Sequence, residues 1–535
     1  MPQETISNLK IRIKKAEGLK EQRRPLNQGA YEMCMPQRNL YTGSGTSETN
    51  PGDSKMTGLF TSLGISATNN FVNNMQSSLT PPFTRWAELK AGDDVGEDAE
   101  ADVNKALDEL TKKIFSFLDA SNFATASAEM YYDVAVGTGA LLINRGEFDK
   151  PLNFQAIPTA QLALEEGIFG TIGAIFRKNR LAARLVQHTW PDAQLPQALL
   201  ERIKNKPNDD VTLDEVTYYD PMTDKWYYEI LWFDAENTER LVTRVTRYNP
   251  WIIVRWMKIA GEVEGRGPIL QALPDLKMLN HGKEMAAYTT QMNSFGSYTM
   301  EEDGIIDTRS AKIAPGGFLI VKNNPGGPRA PSIAALPRVG DTRDQEFFFQ
   351  GIEADIKRVM MDNKLPDESG PVRSPTEIVQ RIKEFQSDFG SAYGRLMYEY
   401  IMPLFKTVIM VLEDAQKIIV PTIPYRDVIT GTIVKKKITD ETGFTKIKML
   451  SPVAKVQALE DVQNVIQSIQ ITAGIDPRLP LVGFKVEELP GYFGDKLGMP
   501  EKFVRTQGEQ ASAIAALATL FGGQAGEQPP AQGMV

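Results

Sequence analysis

Six carboxylates crowd into ten residues: Asp93, Asp94, Glu97, Asp98, Glu100 and Asp102. Carboxylates at such density could bind calcium or support metal-dependent hydrolysis. The calcium loop with its obligatory glycine is absent, so the stretch reads as a solvated loop leading into a helix. A metal-dependent nuclease using these acids stays open as an alternative. Two histidines, His188 and His281, are too few for a histidine metal cluster. His188 sits in LVQHTW as a surface or strand residue, and His281 reads as a helix-face residue. No G-x-S-x-G elbow is present, and a serine nucleophile would need a histidine partner. Cys34 is the one cysteine. It can form no intrachain disulfide and no cysteine zinc site, and reads as a small apolar residue. There is no G-x-x-x-x-G-K-[ST] phosphate loop. GTGALL at 137–142 has leucine where a dinucleotide loop needs its third glycine, and fits a helix-to-strand junction instead. No catalytic residue, metal or cofactor is expected.

These residues sit in a chain of 535 residues with net charge −9, 42% apolar and 24% charged. That composition is globular and long enough for several domains. A free chain with this acidity is not a nucleic-acid clamp, because tight non-specific binding needs a basic footprint. No apolar run approaches the length of a membrane span.

Hydrophobic spacing predicts a helix over 3–24, with Ile6, Leu9 and Ile13 on one stripe and Pro25 as its stop. A polar loop follows at 42–56, then a helix over 57–79 that ends before Pro81-Pro82. A further helix is expected over 103–131. From 140 to 260 the texture is strand-like: 141–144, 170–176, 216–219, 226–233, 240–248 and 251–258, with a turn at Met222–Lys225. The aromatics here, including Tyr218, Tyr219, Trp226 and Trp232, read as sheet core and cross-strand pairs. Two helices of similar length, 274–294 and 342–361, flank a Gly/Pro-rich insert. Each would span roughly 30 Å. Met278, Met285 and Met292 mark one packing stripe, and Phe349, Ile352, Ile356 and Val359 the other. Within the insert, 317–322 is a strand candidate. Ser374, Pro375 and Glu377 cap a long helix in which Pro403 should place a kink. Strand texture returns over 419–450, where Lys435, Lys436 and Lys437 read as solvated. Helices are expected over 452–471 and 508–521, with disorder after 523.

Four stretches, in order, carry a family likeness: LTPPFTRW (79–86), YYDVAVGTGALLIN (131–144), GRGPILQALPDLKMLN (265–280) and NKLPDESGPVRSPTEIVQR (363–381). On these the chain resembles the portal, or head-to-tail connector, proteins of short-tailed, podovirus-type bacteriophages. The resemblance implies an α+β portal fold: a wing (1–264), stem helix 1 (265–294), a clip (295–341), stem helix 2 (342–361), a tunnel loop (362–373), a long kinked helix returning to the wing (374–450), a helical crown (451–523) and a disordered tail (524–535). It also implies a homo-oligomeric ring of about twelve subunits at one capsid vertex, with double-stranded DNA passing through. Implied partners are a terminase large subunit, a tail adaptor, major capsid and scaffolding proteins, and internal head or core proteins. A different ring-forming virion connector is the other structural alternative.

A conduit must touch DNA without holding it. The implied tunnel loop sets Lys364 and Arg373 against Asp362, Asp367 and Glu368. That offers isolated positive points in a repulsive surround. Gly370 and Pro371 allow non-helical loop geometry. Lys277, Lys283, Lys357 and Arg358 on the stem could ring the channel, or pair across subunits with Asp275, Glu284, Glu353 and Asp355.

Overall fold

The computed structural model describes residues 4–36, 58–92, 95, 97–146, 150–233, 238–295, 298–301, 318–321, 333–335, 342–362, 390, 392–426, 433–437, 445–450, 462, 465–472, 474, 489 and 492–493. Helix α1 (Ile6–Cys34) runs through Pro25 instead of stopping there. An interior proline costs a helix about 3 kcal/mol. The turns beyond it bury Asn27, Ala30, Tyr31 and Cys34, and that packing outweighs the loss. Helix α2 (Leu63–Leu79) ends before the double proline as expected.

Strand β1 (Ala87–Ala91) precedes a break in expectation. The single helix read over 103–131 is two, α3 (Glu97–Ala120) and α4 (Phe123–Val136). Asn122 holds the break open. Its Nδ2 donates to the Phe154 carbonyl at 2.7 Å, and its Oδ1 accepts from the Phe154 N–H at 2.9 Å. An amide side chain that satisfies backbone groups of another element competes well with continuing a helix. Because α3 starts at Glu97, the carboxylate stretch is partly helix rather than all loop. Acids suit the positive end of a helix.

The β-rich part contains β2 (Thr138–Arg145), β3 (Leu152–Ala156), β4 (Leu162–Glu166) and β5 (Ile172–Ala182). Helices α5 (Ala183–Thr189) and α6 (Gln197–Asn205) follow, so His188 is helical and not in a strand. Strands β6 (Asp210–Asp220), β7 (Lys225–Phe233), β8 (Thr238–Thr246) and β9 (Trp251–Arg255) complete it. An antiparallel sheet has the order β4-β5-β6-β7-β8, and a second has β3-β2-β9. The aromatics pair as expected: Tyr218 lies opposite Tyr227, and Tyr219 opposite Trp226. The first pair stacks at 5.2 Å.

Helix α7 (Pro268–Phe295) and helix α8 (Thr342–Val359) flank three short strands, β10 (Tyr298–Glu301), β11 (Phe318–Val321) and β12 (Ile333–Ala335). These form a small sheet in the order β11-β10-β12. The two helices are not equal. They have 28 and 18 residues, or about 42 and 27 Å. Pro274 lies inside α7 rather than at its start. The extra turns are buried: Ile269, Ala272 and Leu273 belong to the body's core.

A π-helical turn (Met397–Ile401) leads into α9 (Met402–Asp414). Strands β13 (Thr422–Arg426) and β14 (Ile433–Lys437) make a hairpin. Strand β15 (Thr445–Met449) returns to pair antiparallel with β1. One apolar cluster joins α1–α4, β2, β9, α7, α8 and α9. The capping residues 374–377, most of the insert and the segment beyond 493 lie outside the described residues.

Candidate functional site: a projecting helical hairpin

Two glycine segments set the base of the hairpin. Gly137, after α4, faces Gly265, before α7. A Cβ on Gly137 would fall 2.3 Å from the Gly265 carbonyl oxygen, and one on Gly267 would fall 2.1 Å from that of Ala135. Only glycine permits such backbone contact. The Gly267 N–H donates to the Val136 carbonyl at 2.7 Å, and the Gly265 N–H to Thr138 Oγ1 at 2.8 Å. The GTG and GRG motifs, far apart in sequence, are therefore two sides of one joint. The LTPPFTRW stretch serves the same body: Trp86 is buried against Phe115, Phe123 and Phe405.

From this joint α7 leaves the core and α8 returns to it. Leu276 and Leu279 are buried, but from His281 to Ser294 no side chain of α7 is. In α8 the order is reversed. Nothing from Gln345 to Asp355 is buried, whereas Ile356 is fully so, and Met360 beyond the helix is as well. The two helices are thus antiparallel arms of a hairpin whose far end carries the insert. They touch where Gly282 accepts the Phe349 ring and where Lys283 Nζ donates to Glu353 Oε1 at 2.6 Å.

The foot of α8 is clasped. Met361 has a left-handed backbone, φ 55°, uncommon for a residue with a side chain. Asn74 Nδ2 donates to the Met361 carbonyl at 3.2 Å, and Asn70 Nδ2 to Asp362 Oδ1 at 2.7 Å. The chain enters the segment beyond 362 from a post fixed to α2.

Of the cations singled out in the sequence, Lys277 and Lys357 are exposed with no described carboxylate within ion-pair distance. Lys283 pairs with Glu353 inside the chain, and Arg358 lies 3.7 Å from Asp355 on its own helix. Lys364, Arg373, Gly370 and Pro371 lie outside the described residues. Pro403 is the second residue of α9, directly after the π-helical turn.

Pro403 also borders an open cleft of about 820 Å³ between β9 and the π turn. Arg255 is buried there and holds Glu399 through two side-chain bonds, at 2.7 and 3.0 Å. Glu399 also accepts from the Arg255 N–H at 3.1 Å and from Arg395 Nη1 at 2.7 Å. With four donors, Glu399 ties β9 to the π turn. Sequence reasoning missed this pair. Its members lie 144 residues apart, and neither has a local pattern that marks it. Burial pushes the Cys34 thiol up to about 12, which keeps it inert at neutral pH. Among the described residues no group of three His, Cys, Asp or Glu could hold a metal ion, and no helix is long and apolar enough to cross a membrane. Asp93 and Asp94 are not among those residues.

The described residues form a mixed helix–sheet body with a projecting helical arm. A family model described as bacteriophage head to tail connecting protein matches residues 7–504, and the chain belongs to that family. The portal protein of Escherichia phage T7 is 20% identical over 378 residues, covering 68% of this chain and 67% of that protein. The probable portal protein of Bordetella phage BPP-1 is 20% identical over 495 residues, covering 87% and 83%. The virion of a native gene transfer agent contains a chain that aligns over 83% of this one and 92% of its own length, at 10% identity and a TM-score of 0.35.

Proposed function

We propose that the chain is the portal subunit of a phage virion. Copies form a ring of about twelve at one capsid vertex. Double-stranded DNA is driven in through the ring by a terminase large subunit and later leaves by the same route. The observation that carries this reading is the family match over nearly the whole chain. In this reading the β-rich part is the wing, α7 and α8 are the stem, and the insert is the clip, on which the terminase and then a tail adaptor dock. Capsid, scaffolding and internal core proteins meet the wing and the C-terminal crown.

The segment beyond Asp362 would be the tunnel loop, with Lys364 and Arg373 touching phosphates and Gly370 and Pro371 letting it shift around the duplex. Lys277 and Lys357 are the better stem candidates for lumen contact, because Lys283 and Arg358 already have acidic neighbours. Weak, scattered contacts suit sliding, since each neutralised phosphate adds to salt-dependent capture. Pro403, following the π turn, would help bend the long helix between wing and channel.

Negative-stain microscopy of the purified chain tests the reading: rings with an axial opening are expected, and a compact monomer at all concentrations refutes it. Deleting 364–371 should leave rings intact and lower DNA packaging or retention. Normal genome-filled particles would remove the loop from the mechanism.

A further inference from the structure

The cleft between β9 and the π turn has a charge imbalance that the Arg255–Glu399 pair does not use up. Its lining holds five cations, Arg247, Arg255, Lys258, Arg395 and Lys406, and one carboxylate, Glu399. The whole chain has net charge −9. A groove of opposite sign in an acidic molecule favours an anionic ligand.

The cations divide into two groups. Arg255 and Lys258 fix the walls: each donates to the Gly170 carbonyl at 3.1 Å, and they hold Glu399 and Glu166 respectively. Arg395, Lys406 and Arg247 are more open. Arg395 gives Nη1 to Glu399 and is a third exposed. Arg247 is half exposed, 3.6 Å from Asp414 and 3.7 Å from Glu413, beyond hydrogen-bond distance. Lys406 is exposed and has no carboxylate partner among the described residues. Arg395 and Lys406 line the same cleft from one helical run, roughly 16 Å apart along it. An extended chain crosses that span in roughly five residues.

The cleft also has an apolar lip. Phe169 is fully exposed and Tyr398 66% exposed, and both border it. Phe169 is held out by its backbone, which is left-handed at φ 56°, a conformation uncommon for a residue with a side chain. The Gly167 N–H closes the loop onto the Thr171 carbonyl at 2.7 Å, and the two wall cations grip Gly170 beside it. The lip is therefore preformed.

We infer that this cleft binds an extended acidic segment of a partner protein, with its carboxylates on Arg395, Lys406 and Arg247 and its apolar side chains against Phe169 and Tyr398. A volume of about 820 Å³ suits a few residues of such a segment. Acids around the cleft favour a peptide over a nucleic acid. Glu166 holds Lys258, and Glu413 and Asp414 stand beside Arg247. A phosphodiester chain is charged at every link and would press phosphates against them, whereas a peptide can place neutral residues there. The inference stands on the cleft alone and does not use the ring reading.

Fluorescence anisotropy with a short dye-labelled peptide of alternating glutamate and leucine tests it on the purified full chain. Saturable binding that weakens as salt is raised is expected, and the counterpart with glutamine for glutamate should bind about tenfold more weakly. Lys406→Glu should lower affinity about tenfold. Phe169→Gly should lower it about threefold and leave the melting curve unchanged or raised, because glycine accepts the left-handed backbone. No binding to the unaltered chain, or undiminished binding by both variants, would overturn the inference. A single-stranded oligonucleotide that displaced the peptide at equal concentration would overturn the peptide assignment.

Discussion

The body and the hairpin solve the problem of apolar and charged side chains in opposite ways. In the body, buried charge is matched inside the chain. Arg255 meets Glu399, Arg177 meets Glu215 at 3.1 Å, and Arg240 meets Glu229 at 2.8 Å. Tyr31 donates to Asp133, while Tyr131 shares a 2.6 Å bond with Thr80 and packs edge-on against Tyr400. Over 281–294 and 345–355 the hairpin buries no side chain and leaves methionine, tyrosine and phenylalanine exposed. The difference teaches that the body satisfies its charged and apolar groups from within, whereas the outer hairpin leaves large apolar side chains such as Met285, Tyr288 and Phe347 exposed.

Substitutions should sort along the same line. The largest effect is expected at the joint. Gly267→Val would drive a side chain into the Ala135 carbonyl, and should cost more than about 4 kcal/mol. Soluble expression and circular dichroism check this. A normally folded variant would mean that the joint yields.

Arg255→Ala comes next. It strands a nearly buried Glu399 and should cost about 3–5 kcal/mol, read by urea unfolding. Replacing both Arg255 and Glu399 with Met should cost less than the single change.

Asp214 is a third test within the body. Burial pushes its carboxyl up to about 6 from an ordinary 3.8, although Lys178 pulls the other way. Between those values the folded chain keeps a proton that the unfolded chain has lost. Stability therefore falls as pH rises from about 4 to 6 and stays lower above that. Asp214→Asn should gain about 1 kcal/mol at pH 7.5, after allowance for partial exposure, and nothing below pH 3.5. Melting curves at the two pH values decide it.

The smallest effect on the subunit is expected at Phe347→Ser. It should change subunit stability by less than about 0.5 kcal/mol, measured by urea unfolding. A large loss of subunit stability would erase the contrast between the two regions.

Much of the architecture was legible from local pattern. Alternating aromatics gave β6 and β7 with their turn, the Phe349–Val359 stripe gave the inner face of α8, and Gly/Pro punctuation gave the insert. What escaped was set by distant partners. Pro25 reads as a stop until the burial beyond it is known. Asn122 breaks a helix only because Phe154 offers it two backbone bonds. The methionine stripe of α7 reads as packing in any helix, yet Met278 is 50% and Met285 46% exposed, so these two do not pack against this chain's own core. Arg255 and Glu399 have no sequence pattern at all, since an ion pair between separate elements leaves none.

The clasp at Met361 and Asp362 has a mechanical consequence. A tug on the strand of chain that follows is carried sideways into α2 through Asn70 and Asn74, and does not unwind α8 from its end. In the proposed ring, a load on the chain beyond Asp362 would reach α2 before it reached α8.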